Sequence, residues 1–252
     1  MGYFTVEVKP PIPTVASGQH AAFADVELLF DWYAFDVPKG TCRLLHVDQE
    51  IRPKGDSGST VNEFDLELLL AKPDKAGNAP SSIGTVGAAA LGSAVNLSNN
   101  MMGFISSTSW EPHETHLDST AFTAVREAKG TMFFNNDAPP ISGVPQGYER
   151  YYMAAIRKGA FNFVSSTLIN AGDLTGPILT VDGTDPRLFM AVGDTIGVTT
   201  TADTAVSKDM GVIKSIDSAT QITLESAFTT AVVDDDIVYN QAPITFRLHF
   251  KR

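Results

Sequence analysis

Short runs of alternating apolar and polar residues dominate this chain, and glycine or proline interrupts them every few positions. With 20 Gly and 14 Pro in 252 residues, long helices have little room. A period of two places successive side chains on opposite faces of a strand. Thr, Val, Ile and Phe, the residues that suit pleated surfaces, are plentiful. Tyr3 to Val8 alternates, and Pro10-Pro11-Ile12-Pro13 then holds the backbone extended. Ala24 to Phe35 alternates first and then becomes continuously apolar, as a strand entering a core would. Thr41 to Ile51, Phe64 to Leu70, Tyr151 to Ile156 and Gly159 to Phe163 read the same way.

Two segments break this texture. Residues 73 to 109 are rich in Gly, Ala, Ser and Asn, and the run Ile83 to Gly92 has no secure period. One short helix is expected there and another over Thr120 to Ala128, with a Pro/Gly/Asn-rich connection over residues 131 to 147.

From about residue 174 the strands become short and regularly spaced: Ile178–Val181, Asp194–Thr199, Gly211–Ile216, Gln221–Leu224 and Ile237–Tyr239. Turn residues such as Asp182-Gly183 and Gly193-Asp194 separate them, the pattern of a small barrel. Ile244 to Arg252 then resembles the long strands before residue 165, with Ile244, Phe246, Leu248 and Phe250 on one face. The expected fold is all-β: an antiparallel, jelly-roll-like β-sandwich with an inserted small β-barrel and one or two short helices. The sandwich would comprise residues 1–172 plus 243–252, and the barrel 173–242. A plain two-domain arrangement is the alternative.

Charge excludes some functions. The chain holds 29 acidic and 18 basic residues, a net charge of −11. That suits neither phosphate contacts nor an anionic membrane surface, so no nucleic acid and no membrane is expected as a partner. The charge is uneven: residues 173–242 carry 11 acids against 3 bases, and the remainder 18 against 15. The barrel is therefore expected to face solvent. No apolar run reaches the ~18 residues of a membrane helix, and the first residues lack the basic head and apolar run of a secretory signal.

Catalytic patterns are missing where they would be sought. His113 and His116 lie three apart behind Pro112, not four apart with a glutamate on one helical face. His249 falls on the polar face of the last strand. The glycines of residues 84–92 fit neither a dinucleotide fingerprint nor a phosphate loop. Asp234-Asp235-Asp236 lacks the ligand spacing of a calcium loop, and no nucleophile elbow occurs. The single cysteine, Cys42, reads as a small buried hydrophobe. No catalytic residue, metal ligand or cofactor is assigned.

One resemblance is specific to a module. Val192-Gly193-Asp194-Thr195-Ile196, Gly211-Val212-Ile213-Lys214-Ser215-Ile216-Asp217 and Thr220-Gln221-Ile222-Thr223-Leu224 resemble the small β-barrels of virion structural proteins of tailed bacteriophages. Tyr151 to Ala160 is similar to other segments of such proteins. The resemblance implies a non-enzymatic capsid decoration (cement) or head–tail accessory protein. It would be made in the host cytoplasm and carried on the outer surface of the virion. Its partners would be copies of itself, as in a trimer, and the major capsid protein or other virion proteins.

Two segments could supply such contacts. Tyr3, Phe4, Val6 and Pro10 form a candidate arm for strand addition to a neighbour, or an ordinary edge strand. Met101, Met102, Phe104 and Trp110 form an apolar cluster in a loop that covers the core or meets a partner. The competing functions are a carbohydrate- or receptor-binding fibre module and a hydrolase.

Overall fold

The computed structural model describes residues 2–12, 26–52, 65–89, 99–107, 114–117, 121–135, 138–158, 166–170, 174–199 and 207–252. It is almost entirely β. Strands β1 (Tyr3–Val8), β2 (Leu28–Pro38), β3 (Cys42–Ile51), β4 (Asp65–Ala71), β5 (Met101–Ser107), β6 (Glu114–Leu117), β7 (Ala121–Phe134) and β8 (Tyr148–Lys158) come first. Then follow β9 (Ser166–Ile169), β10 (Leu174–Asp182), β11 (Thr195–Thr199), β12 (Ser207–Ser218), β13 (Gln221–Val232), β14 (Ile237–Asn240) and β15 (Ile244–Lys251).

Nine of these strands make two antiparallel sheets, ordered β1-β15-β3-β7-β6 and β2-β8-β4-β5. Setting aside β6, which only extends the edge beside β7, the eight remaining strands follow jelly-roll order. The chain crosses between the sheets at nearly every connection, and the five-stranded sheet is not complete until the last strand returns. β15 performs that return, lying between β1 and β3. The other six strands close a barrel in the order β10-β13-β12-β11-β14-β9, spliced between β8 and β15. β9 adds to this barrel a strand that the sequence reading assigned to the sandwich.

The alternation of β15 decides its placement. Ile244, Phe246, Leu248 and Phe250 are wholly buried between the sheets, while Arg247, His249 and Lys251 turn outward and Thr245, at an alternate position with them, is covered. Phe134 is the hub of the aromatic core, with ring centroids 4.7 Å from Tyr151 and 4.8 Å from Phe250. Each fully buried ring of this kind stabilises the fold by about 1.5–3 kcal/mol. The barrel has a separate core that includes Leu179, Ile196, Ile213, Ile222 and Val238. Gly197 is required there. A Cβ at this position would lie 2.7 Å from the ring and hydroxyl of Tyr239, its register partner on β14.

Two expectations need correction. Of the helix expected over Thr120 to Ala128, residues 121–128 are strand instead, because Ala121–Phe134 is a long strand paired on one side with β3 and on the other with β6. Its Ala, Arg, Glu and Lys favour a helix locally, but two flanking ladders outweigh a propensity of a few tenths of a kcal/mol per residue. The same strand takes in residues 131–134 of the expected connection. No α-helix occurs among the described residues, where Pro186–Leu188 is a single 3-10 turn. The short helix expected within residues 73–109 is absent from residues 73–89, which end in a turn, a bend and an isolated bridge, and β5 occupies residues 101–107; residues 90–98 lie outside the described residues. The strand expected at Gly159–Phe163 also lies outside them.

A backbone hydrogen bond ties the barrel to the sandwich, from Ile12 N–H to Gln241 O at 2.8 Å, and Arg52 N–H bonds Pro243 O, also at 2.8 Å, where the chain re-enters the sandwich. Beside them, Arg52 donates from Nη2 to Asp194 Oδ1 at 2.7 Å. Asp194 belongs to the turn that opens β11, where Gly193 takes φ +88°, a conformation costly for other residues. The Gly193-Asp194 turn read from the sequence thus makes the barrel's bond to the sandwich.

Candidate functional site

The outer face of the five-stranded sheet gathers the side chains with the most chemistry. Register places them in cross-strand rows. Tyr3, Lys251, Arg43 and Phe133 lie opposite one another across β1, β15, β3 and β7. Tyr3 is 69% exposed and Phe133 58%, although both belong to a residue type that normally seeks cover. Lys251 Nζ lies 5.8 Å from the Tyr3 ring centre, and the Arg252 guanidinium lies 5.4 Å from that of Phe4. This end of the face is aromatic and cationic on a chain that is acidic as a whole.

The next row is Thr5, His249 and His46. A bulge creates it. Between Leu44, opposite Phe250, and His46, opposite His249, β3 carries the extra residue Leu45. One additional residue reverses the strand's parity. His46, Asp48 and Glu50 therefore face the same way as Arg43 instead of entering the core. The two imidazoles stack with centroids 4.1 Å apart and an interplanar angle of 15°. His249 Nε2 lies 2.9 Å from Asp48 Oδ2, and His46 Nε2 lies 3.8 Å from Asp48 Oδ1. Thr5 Oγ1 is 3.0 Å from His249 Nδ1.

The third row is ionic. Arg247 donates from Nη2 to Glu50 Oε2 at 2.7 Å and from Nε to Glu7 Oε2 at 3.2 Å. Glu50 holds its guanidinium above the usual arginine range. Partial burial raises the Glu7 carboxyl, but Lys9 and Arg247 outweigh it and hold the group below its ordinary value.

The interface residues expected from sequence fall in different places. β1 is the edge strand of its own chain's sheet, where Phe4 and Val6 pack partly buried against the core. Pro10 is buried, so of that group only Tyr3 offers an exposed aromatic surface. Met101, Met102 and Phe104 belong to strand β5 rather than to a loop. Met102 packs on the core and Phe104 is 63% exposed. Trp110 lies outside the described residues. β1 packs beside β2 and β5 beside β7, so the two candidate groups sit at opposite edges of the sandwich and form no common surface.

Sequence reading missed Arg43, Phe133 and the His46–Asp48–His249 cluster. No local signal could have found them, because the partners are joined by register between strands far apart in the chain, Asp48 and His249 by 201 residues. The parity change at Leu45 was visible only as two adjacent leucines. Cys42 is buried on the inner face, and burial pushes its thiol up to about 11, which suits a packing residue and not a nucleophile. The chain matches no family model and no curated protein.

Proposed function

We propose that this chain is a non-enzymatic structural protein of a virion, a capsid decoration component that binds the particle as a homo-oligomer. The Tyr3–Lys251–Arg43–Phe133 row carries the reading. Interface centres are enriched in aromatics and arginine, and here two exposed aromatics flank two cations on one sheet face. Jelly rolls serve as shell-forming and surface-binding domains, which supports the reading as an analogy of fold. Residues 173–242, with 11 acids against 3 bases, would project into solvent while the sandwich sits on the particle.

The glycan-binding alternative gains less support. Trp32, one of two tryptophans, donates its ring N–H to Ser81 O at 2.9 Å and packs partly buried. The test is co-sedimentation of the purified chain with assembled particles, with its mass in solution measured in parallel. Binding that Arg43→Glu and Phe133→Ser abolish, without loss of the β spectrum, is the expected result. A stable monomer with no affinity for heads or tails would end the proposal.

A further inference from the structure

We propose that His46, Asp48 and His249 form a binding site for one divalent transition-metal ion of the zinc class. The site is independent of any docking to a particle. One potential ligand atom from each residue lies within 4.8 Å of the others. Tetrahedral zinc with bonds near 2.0–2.1 Å needs ligand atoms about 3.3 Å apart. Rotation about side-chain bonds can close the difference. The three side chains are 35%, 23% and 27% exposed, so they can move and an ion can reach them.

Several features beyond proximity favour an ion. The bulge at Leu45 places His46 and Asp48 on the same face, directly across from and diagonal to His249. The parallel rings direct both Nε2 edges toward the one carboxylate. Thr5 occupies the far nitrogen of His249, the position where a metal-bound histidine normally finds a partner that fixes its tautomer and aim. Arg247, opposite Asp48 in register, directs its guanidinium to Glu50 and Glu7. Two imidazoles and one carboxylate suit Zn²⁺, Ni²⁺ or Cu²⁺ and disfavour Mg²⁺ and Ca²⁺, which prefer oxygen ligands. Three protein ligands leave a fourth position for water or for a group from another molecule.

The test uses the full chain, stripped with a chelator and titrated calorimetrically with ZnCl₂. Co²⁺ serves as a visible reporter of the coordination sphere, and Mg²⁺ as a control. One Zn²⁺ per chain is expected, with no heat from Mg²⁺. His46→Ala and His249→Ala should each weaken binding at least tenfold, while His113→Ala/His116→Ala leaves it unchanged; loss of the Thr5 hydrogen bond in Thr5→Val should cost about tenfold. Because Thr5, His46 and His249 lie on the outer face, far-UV circular dichroism should show their variants folded. Absence of Zn²⁺ binding by the parent chain would overturn the proposal. So would undiminished affinity in the folded His46→Ala/His249→Ala double variant.

Discussion

Replacing Asp194 with alanine should cost about 3–4 kcal/mol and uncouple the barrel from the sandwich. Asp194 is 5% exposed and divides its oxygens between the two parts of the molecule. Oδ1 accepts from Arg52 Nη2 at 2.7 Å and Nε at 3.3 Å, on the sandwich side. Oδ2 accepts from Asn240 Nδ2 at 2.8 Å and Ala191 N–H at 2.9 Å, inside the barrel. Breaking a fully buried ion pair costs about 3–5 kcal/mol. Arg52 is 26% exposed and also lies 3.5 Å from Glu50, so its share falls to about 1–2 kcal/mol. The two barrel donors each lose a good acceptor, worth about 1 kcal/mol apiece. Trp32 belongs to sandwich strand β2 and residues 166–242 hold no tryptophan, so fluorescence does not come from the barrel while circular dichroism reports both parts. In urea the two signals should coincide for the parent and separate in Asp194→Ala. A cycle with Arg52→Ala should give a coupling energy above about 1 kcal/mol. Coincident, unshifted transitions, or strictly additive single variants, would refute the idea that this pair braces the junction.

Phe134→Ala removes the hub of the aromatic core and should cost about 3–5 kcal/mol, read from the denaturation midpoint. Gly197→Ala drives a methyl group into Tyr239 and should cost about 1–3 kcal/mol, read from the same midpoint. Cys42 should resist thiol reagents in the folded chain and react on unfolding, since burial both covers it and raises its pKa to about 11. Glu7 has its folded pKa depressed, so its pairing with Lys9 and Arg247 stabilises the fold above the ordinary carboxylate range. That stability is lost as pH falls through the depressed value. Glu7→Gln should therefore narrow the gap in melting temperature between neutral and acidic buffer.

Period-two alternation was enough to identify most strands, including the inward set Ile244, Phe246, Leu248 and Phe250, because a strand's two faces are written in its own residues. The small barrel was legible for a related reason: Val192-Gly193-Asp194 and the strands after it are local units with turn residues between them. Residues 121–134 show where local reading failed. The Ala, Arg and Glu among residues 121–128 favour a helix, and only pairing with β3 and β6 makes the segment a strand.

The functional face was the least legible part. Tyr3 could be marked as an exposed aromatic, but its row with Lys251, Arg43 and Phe133 exists only once β15 returns from the far end of the chain. His46 and His249 look like isolated polar residues in sequence. A single bulge residue and the register of β3 against β15 bring them to a stacking distance of 4.1 Å. The sequence by itself determined which faces are apolar, where the chain turns and where acid accumulates, since these depend on neighbours along the chain. Tertiary structure decided which side chains meet, because contacts across a sheet are set by strand order and register, and a shift of one residue exchanges the faces.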